Sequence, residues 1–312
     1  MTTITRVNYH GWPDSYLINN GKVEAVVVPA ISREMQFRLV DDPAGVFWEN
    51  RLLDGKQTDP ESSEWANFGG DKSWPAPQSD WEKVTERAWP PPAAFDSLPS
   101  EAVIQGDELI LTSKVDEHYG IQTVRRIQMA PALPVMSITT EYRKIAGSAV
   151  QVSVWVITQM RSPERMYAHL PEQRSRPEFL QLMGPVPQDL RIEGRLLSLS
   201  RDPKEPVKIG SAASSMVWMD RNFAVRIDSN ASQTEGEYPD GGSRSEIYTN
   251  PDPQPYVELE TLGPLTEVNP GDRIALTNIY TLAHRFEENA KLEAEKMLGL
   301  RASLDQQYFS QN

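Results

Sequence analysis

Hydrophobic and polar residues alternate with a period of two over short stretches of most of the chain, which is the pattern of half-buried β-strands. These stretches are enriched in β-branched and aromatic residues, which favour extended backbone. The predicted strands are Val23–Pro29, Met35–Val40, Leu109–Lys114, Ile121–Met129, Val135–Tyr142, Val150–Met160, Leu196–Ser200, Met216–Met219, Phe223–Asp228, Glu246–Thr249, Tyr256–Leu262 and Ile274–Leu282. Their number and shortness indicate an all-β fold.

The segments between these strands contain local turn signals. Asn19–Lys22 has the sequence Asn-Asn-Gly-Lys, which suits a hairpin. Asn269–Asp272 has the sequence Asn-Pro-Gly-Asp, which places proline and glycine where a type II turn needs them. Because strands joined by short turns pair antiparallel, we expect an antiparallel β-sandwich of many strands.

Only the end of the chain has a helical pattern. From Arg285 to about Gln307, apolar residues are mixed with charges, and Glu287 and Lys291 form an i,i+4 pair in the favourable orientation. We expect an amphipathic helix that caps an edge of the sheet. Apart from the Pro- and Trp-rich stretch Trp65–Pro99, no shift in composition marks a linker. Residues 1–284 are therefore predicted to form one domain, with residues 285–312 as a helical tail packed on it.

Composition narrows the class of protein. The 312 residues include 25 prolines, which helix interiors and central strands exclude, and this argues against a helical bundle and more weakly against a parallel α/β sheet. A net charge of −13 makes nucleic acid an unfavourable partner. The absence of cysteine removes disulfides, thiolate zinc sites and cysteine nucleophiles.

The sequence has no stretch with the apolar length of a membrane span, and its first residues lack the apolar region of a secretory leader. We therefore expect a cytoplasmic protein without a membrane or nucleic-acid partner. The sequence contains no signature of an oligomeric state.

The common short motifs of nucleotide, phosphate, zinc-protease and serine-hydrolase sites are missing. The histidines are scattered without the short spacing of metal ligands. They are His10, His118, His169 and His284. We therefore predict neither a cofactor nor a metal site.

Five of the eight tryptophans lie between Trp48 and Phe95, in a segment without a periodic pattern. Such long segments are usually functional or disordered, and so many large aromatics favour order. Rings that stack on the apolar faces of a pyranose, with amides and charges that bind its hydroxyls, are what a sugar site needs. The alternative is that the tryptophans only pack this segment onto the sandwich.

A second segment, Tyr238–Leu265, contains the predicted strand Tyr256–Leu262. Because side chains alternate along a strand, Glu258 and Glu260 share the face opposite Val257 and Leu259, with carboxylates about 7 Å apart. Two nearby carboxylates repel, which can raise the pKa of one towards that of a general base. An ordinary solvated outer face is the alternative interpretation.

Three motifs resemble one bacterial protein family. They are NFGGDKSWPAPQSDW at Asn67–Trp81, WPPPAAFDSLPSE at Trp89–Glu101, and YPDGG…EIYTN…YVELETLGPL within Tyr238–Leu265. These motifs are similar to those of the DUF4380 family, which resembles the galactose mutarotase-like superfamily that includes the aldose 1-epimerases. The resemblance covers roughly Tyr9–Leu282. It implies an antiparallel β-supersandwich with a sugar site in the concave face of one sheet and a free sugar or sugar derivative as the ligand.

The resemblance also implies catalytic roles. In aldose 1-epimerases a glutamate in a Leu-Glu-Thr setting on a late strand is the base, and the similar setting here gives that role to Glu260. The acid in those enzymes is a histidine on a central strand. The corresponding strand here, Val150–Met160, has Trp155 near that place and no histidine. Lys72 or Asp71 could supply the proton, and His169, nine residues beyond that strand, could do so only if the chain folds back.

The remaining candidates would contact the substrate, as stacking rings, hydroxyl ligands or neutralising cations. They are Trp74, Asn67, Arg126, Trp155, Glu258 and Arg244. Three functions stay open: a mutarotase-like isomerase, a carbohydrate-binding protein that lost the acid, and a lyase or hydrolase. A lyase would need Arg125, Arg126 or Arg244 to neutralise a uronate.

Overall fold

The fold is described from a computed structural model, for residues 2–60, 62–172, 177–230 and 235–308, with side chains up to residue 299. In chain order the strands are β1 (Thr3–Tyr9), β2 (Trp12–Asn19), β3 (Val23–Val28), β4 (Arg33–Leu39), β5 (Asp71–Ala76), β6 (Glu101–Gln105), β7 (Glu108–Val115), β8 (Ile121–Met129), β9 (Val135–Lys144), β10 (Val150–Arg161), β11 (Arg165–His169), β12 (Leu180–Met183), β13 (Arg191–Glu193), β14 (Leu196–Leu199), β15 (Val207–Ser211), β16 (Ser215–Met219), β17 (Phe223–Ser229), β18 (Ser245–Thr249), β19 (Tyr256–Leu262), β20 (Thr266–Val268) and β21 (Arg273–His284). The helices are α1 (Trp81–Thr85), α2 (Ala93–Asp96), α3 (Pro239–Gly242) and α4 (Ala290–Tyr308).

Two antiparallel sheets face each other across the hydrophobic core, which confirms the predicted all-β sandwich. The first sheet has the order β1-β2-β3-β4-β5-β10-β19-β18-β15-β12, and β20 pairs with β10. The second sheet has the order β13-β14-β11-β16-β17-β21-β9-β8-β7-β6. Each sheet therefore has one face towards the core and one outer face.

Every predicted strand is present, with ends within two residues of the predicted ones. The two turns are also present: Gly21 and Gly271 both have positive φ, and Asp272 N donates to Asn269 O at 2.8 Å. The strands that the pattern missed are mostly short or lie at sheet edges. They are β1, β2, β5, β6, β11, β12, β13, β15 and β20.

Strand β5 is the most consequential of the missed strands, because it pairs with β4 and β10 near the middle of the first sheet. All of its residues are buried. Its inner face carries Asp71 and Ser73, and its outer face carries Lys72 and Trp74. Because both faces of this strand are covered and polar residues lie on each, apolar and polar residues do not alternate along it. The sequence pattern therefore predicted a loop there.

Helix α4 begins at Ala290, later than the predicted Arg285, and the predicted Glu287–Lys291 pair is wrong. Glu287 precedes the helix and pairs with Lys296, and Lys291 pairs with Glu193 of β13. The helix packs Ala294 and Met297 against the outer face of the second sheet rather than capping an edge. The proposed division at residue 284 stays a prediction.

In the part of the chain that the structure describes, no helix combines the length and the apolar character needed to cross a membrane.

Candidate functional site

The outer face of the first sheet carries a compact group of charged and aromatic side chains from β5, β10, β19, β18 and β15. Register places Lys72, Ile157, Glu260 and Glu246 in one row across four neighbouring strands. Adjacent strands lie about 4.8 Å apart, so the Cα atoms of Lys72 and Glu260 are about 10 Å apart across Ile157.

The next row along the same face consists of Gln159, Glu258, Tyr248 and Lys208. We call the charged residues of the two rows, together with Asp240 beside Glu246, the outer-face cluster. Glu260 and Glu258 therefore share a face with each other, as the alternation of β19 predicted. Strand pairing through β10 places Lys72 on the same face.

Glu260 is completely buried, and one of its two carboxylate oxygens holds all of its hydrogen bonds. Oε2 accepts from Trp155 Nε1 at 2.7 Å and lies 2.9 Å from Lys208 Nζ. Lys208 also lies 2.5 Å from Glu246 and 4.4 Å from the centre of the Trp155 ring. Trp155 and Lys208 thus fix the orientation of this carboxylate.

Lys72 is buried between two indoles, with its ammonium 5.3 Å from the ring centre of Trp65 and 4.9 Å from that of Trp74. Its ion partner is Glu258, at 3.4 Å. The same Glu258 oxygen accepts from Gln159 Nε2 at 2.8 Å. Glu260 is better buried than Glu258, and both carboxylates are hydrogen-bonded to the structure.

Burial shifts the titration of these groups. It raises the pKa of Glu260 well above its ordinary value; Lys208 opposes the shift, and Glu246 and Glu258 add to it. Burial lowers the pKa of Lys72, against the pull of Glu258. Burial and Glu246 raise the pKa of Asp240 to about 6. Burial would also lower the pKa of Lys208, but Glu260 and Glu246 together raise it.

Several buried oxygens on this side of the sheet have no hydrogen-bond partner among the described residues. They include Glu260 Oε1, Gln159 Oε1 and Asn67 Oδ1. Each is an acceptor, and a buried acceptor without a partner costs about 1–3 kcal/mol. These oxygens therefore favour a ligand rich in hydrogen-bond donors.

The segment between Trp48 and Phe95 covers one end of this face with tryptophans in mutual contact. Trp74 packs edge-to-face on Trp65, Trp81, Trp89 and Trp155 with ring centres 5.4–5.9 Å apart. These contacts bury Trp74, so its ring packs the segment onto the sheet rather than facing open solvent.

Asp96 of α2 anchors the same segment from above the sheet. Its carboxylate accepts from Trp74 Nε1 at 2.8 Å, from Trp65 Nε1 at 3.3 Å and from Arg33 Nη2 at 2.7 Å. Gly69 and Gly70 have positive φ, and a Cβ at either would fall within 2.5 Å of the backbone of Trp48 or Glu34. The glycines of the NFGGDK motif therefore let this segment lie directly on the sheet.

Solvent reaches the cluster on the β15 and β18 side. The side chains of Lys208 and Glu258 are 15% and 10% exposed, whereas those of Lys72 and Glu260 are at most 1% exposed. Tyr248 and Trp48 are half-buried beside them, with the Trp48 ring 4.6 Å from that of Tyr256. A ligand would enter past Tyr248 and Lys208.

Asp71 does not face this cluster, which corrects its pairing with Lys72 as an alternative acid. Neighbouring residues on a strand point to opposite faces, and Asp71 points into the space between the sheets. It is ion-paired with Arg125 and accepts from Thr158 and Tyr280 at 2.6 Å. Arg125 also lies 2.5 Å from Glu34. We call Glu34, Asp71 and Arg125 the inner triad.

The structure separates the remaining candidates. Arg126 lies on the outer face of the second sheet and pairs with Glu108 at 3.0 Å, so it is not brought to the cluster. Arg244 lies over the ring of Tyr238 at 4.8 Å, at the Leu262 end of β19. Asn67 is buried beside Tyr256, on the cluster side of the sheet.

No histidine takes the place of an epimerase acid in the described part of the chain. His10 is beside Asp54 at the β1–β2 turn, and His118 follows Glu117 between β7 and β8. His169 is on β11 and His284 packs on Phe223, both in the second sheet. The described residues also contain no group of three or more histidine, aspartate or glutamate side chains placed to hold a metal ion.

Sequence reasoning missed Lys208, Glu246, Gln159 and Asp240. Glu246 and Asp240 lie inside the quoted EIYTN and YPDGG motifs, so the motifs marked their region but not their roles. Lys208 lies on β15, which the pattern did not predict. The alternation of apolar Val207 and Ile209 with Lys208 and Gly210 could have indicated this strand and the outward direction of Lys208.

No protein family model and no curated protein matches this sequence, so the resemblance to the DUF4380 family stays a prediction. Solved structures do match. The chain is 10% identical to a galactose mutarotase-like protein from Lactobacillus casei, with a TM-score of 0.59 and coverage of 86% of this chain and 100% of that one. It is 11% identical to a protein from Escherichia coli provisionally named an aldose 1-epimerase, with a TM-score of 0.54 and coverage of 91% and 100%.

A TPR-domain containing protein from Parabacteroides distasonis is also similar, at 14% identity and a TM-score of 0.57. The match covers 86% of this chain and 47% of that one, so the chain spans about half the length of that protein. At these identities the comparisons establish the architecture. The chain has the galactose mutarotase-like sandwich fold.

Proposed function

We propose that the protein is a carbohydrate-active, aldose 1-epimerase-like isomerase that binds a free sugar or sugar derivative at the outer-face cluster. The observation that carries this proposal is the position of Glu260 and Lys72 on the two strands that flank Ile157, with both side chains on the outer face. A buried carboxylate with a raised pKa and a buried ammonium with a lowered pKa face the same space. Such opposed shifts mark a base and an acid adjusted towards neutral pH.

In this proposal the Oε1 atom of Glu260 removes the proton from the anomeric hydroxyl, and the ammonium of Lys72 donates a proton to the ring oxygen. The bond between the anomeric carbon and the ring oxygen breaks to give the open-chain aldehyde. Rotation about the adjoining carbon–carbon bond and ring closure in the reverse sense return both protons and give the other anomer. Trp155 and Lys208 hold the carboxylate in place.

The names of the structural neighbours support a sugar ligand, because a galactose mutarotase-like protein and a provisionally named aldose 1-epimerase share the fold. The proposal retains the cytoplasmic location expected from the sequence. The lyase alternative loses two of its three arginines, because Arg125 is held in the inner triad and Arg126 is on the other sheet. Arg244, over the ring of Tyr238, is the arginine that a lyase would then have to use.

A second candidate is a carbohydrate-binding protein without catalysis. It is favoured by the ion pair between Lys208 and Glu260, since a cation 2.9 Å away lowers the basicity of the carboxylate. The two candidates agree on the site and differ in whether Glu260 removes a proton.

The test is the rate of anomer exchange of D-galactose and D-glucose, measured by NMR saturation transfer. Glu260→Gln preserves shape and removes basicity, so the isomerase should lose about 10²–10⁴-fold in exchange rate with little change in sugar affinity. Glu108→Gln, on the outer face of the second sheet, is the matched control and should leave the rate unchanged. Sugar binding without any catalysed exchange in the unmodified protein would identify the binding protein instead.

A further inference from the structure

The outer-face cluster contains more carboxylates than cations. Asp240, Glu246, Glu258 and Glu260 contribute four carboxylates, whereas Lys72 and Lys208 contribute two ammonium groups. The other polar neighbours do not change this balance: Arg33 is neutralised by Asp96, and Tyr248 and Tyr256 carry no charge. Even with Arg244 counted as a further cation, the balance stays negative.

The hydrogen-bonding atoms that remain available to a ligand also indicate a site that favours a cation. The buried oxygens without partners, Glu260 Oε1, Gln159 Oε1 and Asn67 Oδ1, are all acceptors. The donors within the outer-face cluster, on Lys208, Lys72 and the amide of Gln159, are each bound to carboxylates, and Arg33 Nε is a buried donor beside the cluster without a partner among the described residues. The site therefore offers acceptors and negative charge, and it needs hydrogen-bond donors and positive charge from its ligand.

We infer that the ligand of this site carries a protonated amine, and that an amino sugar is bound in preference to the matching neutral sugar. This inference rests on the proposed carbohydrate function and names its substrate class. An ammonium supplies three donors and one positive charge, whereas a hydroxyl supplies one donor. Sugar phosphates and uronates would add a third negative charge to the cluster and should be rejected.

Titration of the cluster gives the inference a second consequence. Without a cationic ligand, the excess charge is reduced by protons, and Asp240 and Glu260 are the groups whose pKa values burial and neighbouring carboxylates raise. The pKa of Asp240 is about 6. As pH rises from about 5 to about 7, Asp240 loses its proton, and the preference for an ammonium should increase. A sugar amine stays mainly charged in this range.

The experiment is isothermal titration of the full chain with pairs of sugars. D-glucosamine, D-galactosamine and 6-amino-6-deoxy-D-glucose are compared with D-glucose, D-galactose and the neutral N-acetyl derivatives, and with D-galacturonate. At about pH 7 at least one amino sugar should bind about tenfold or more tightly than its neutral parent, as expected for charge-assisted hydrogen bonds. The ratio should fall at about pH 5.

Two variants test whether the preference for amino sugars arises at the outer-face cluster. Glu246→Gln removes one excess charge and should reduce the ratio of amino-sugar to neutral-sugar affinity several-fold. Glu108→Gln, which carries the same change on the other sheet, should leave the ratio unaltered. The inference would be overturned if neutral sugars bind as tightly as amino sugars, or if Glu246→Gln does not change the ratio of the two affinities. Either result would leave the proposed function standing. Failure of every sugar in the panel to bind would overturn both.

Discussion

The inner triad and the outer-face cluster are two groups of buried charges separated by the thickness of one strand. Asp71 and Lys72 are neighbours on β5, yet Asp71 belongs to the inner triad and Lys72 to the outer-face cluster. Between the sheets, Arg125 contacts both Glu34 and Asp71, and their side chains are at most 4% exposed. On the outer face, Glu260 keeps an unpartnered oxygen and Lys208 reaches solvent.

Buried charge alone therefore does not identify a functional site. Both groups contain a carboxylate with a raised pKa, Glu34 inside and Glu260 outside. Both groups also contain buried polar atoms without a hydrogen-bond partner, namely Glu34 Oε1 and Arg125 Nε inside and Glu260 Oε1 outside. What distinguishes them is access: the inner triad is closed by two sheets, whereas Lys208 and Glu258 of the outer-face cluster are partly exposed to solvent. Stability should therefore depend mainly on the inner triad, and ligand binding mainly on the outer-face cluster.

The largest effect on stability is expected from Arg125→Met. The substitution leaves Glu34 and Asp71 buried without a cation, which should lower the free energy of unfolding by about 3–5 kcal/mol. Arg126→Met, next in sequence but paired with Glu108 on the outer face of the second sheet, should change it by no more than about 1 kcal/mol. Denaturant titration of both variants measures the difference, and similar losses in the two would contradict the assignment.

Trp74→Ala should lower the free energy of unfolding by about 3 kcal/mol, because it removes a buried indole and its hydrogen bond to Asp96. Trp89, which is 43% exposed, is the control, and Trp89→Ala should cost less. Sugar affinity should follow the same order, because Trp74 also forms one wall beside Lys72. Calorimetric titration of the folded variants should show weaker binding for Trp74→Ala than for Trp89→Ala, and equal affinities would show that the Trp74 ring serves packing only.

A smaller effect is expected from the titration of Glu34, whose pKa burial raises to about 7 even beside Arg125. A carboxyl whose pKa is higher in the folded than in the unfolded protein stabilises the fold at low pH, and this contribution is lost as pH rises through about 7. From about pH 5 to about pH 8 the protein should lose about 2 kcal/mol relative to Glu34→Gln. Parallel profiles of unfolding free energy against pH would show that Glu34 does not titrate in this range.

Much of the fold was predictable because alternation, turn residues and proline content all indicate the same antiparallel architecture. The face shared by Glu258 and Glu260 was predictable for the same reason, since Val257 and Leu259 fix the parity of β19. The strand β5 was not predictable, because burial on both faces removes the contrast on which parity depends. Asp71 and Lys72 therefore could not be assigned to opposite faces.

The partners of Glu260 were beyond the sequence for a different reason. Lys208 and Glu246 meet Glu260 only through the order β19-β18-β15, and strand order depends on non-local pairing that local pattern does not contain. Arg126 shows the converse error: it was chosen for its charge, whereas the register of β8 turns Arg125 to the core and Arg126 away from it. The charge of a residue suggested the chemistry it could perform, but strand pairing determines which face of which sheet carries that residue.

The most direct test of the central claim is a crystal structure of the protein soaked with a mixture of neutral and amino monosaccharides. We expect a pyranose on the outer face of the first sheet, between Lys72 and Glu260 above Ile157, with a sugar donor within hydrogen-bond distance of Glu260 Oε1. The structure also has a cavity of about 320 Å³ lined by Trp65, Arg87 and His118. A sugar bound in that cavity, with the outer-face cluster left unoccupied, would contradict the placement of the sugar site at this cluster.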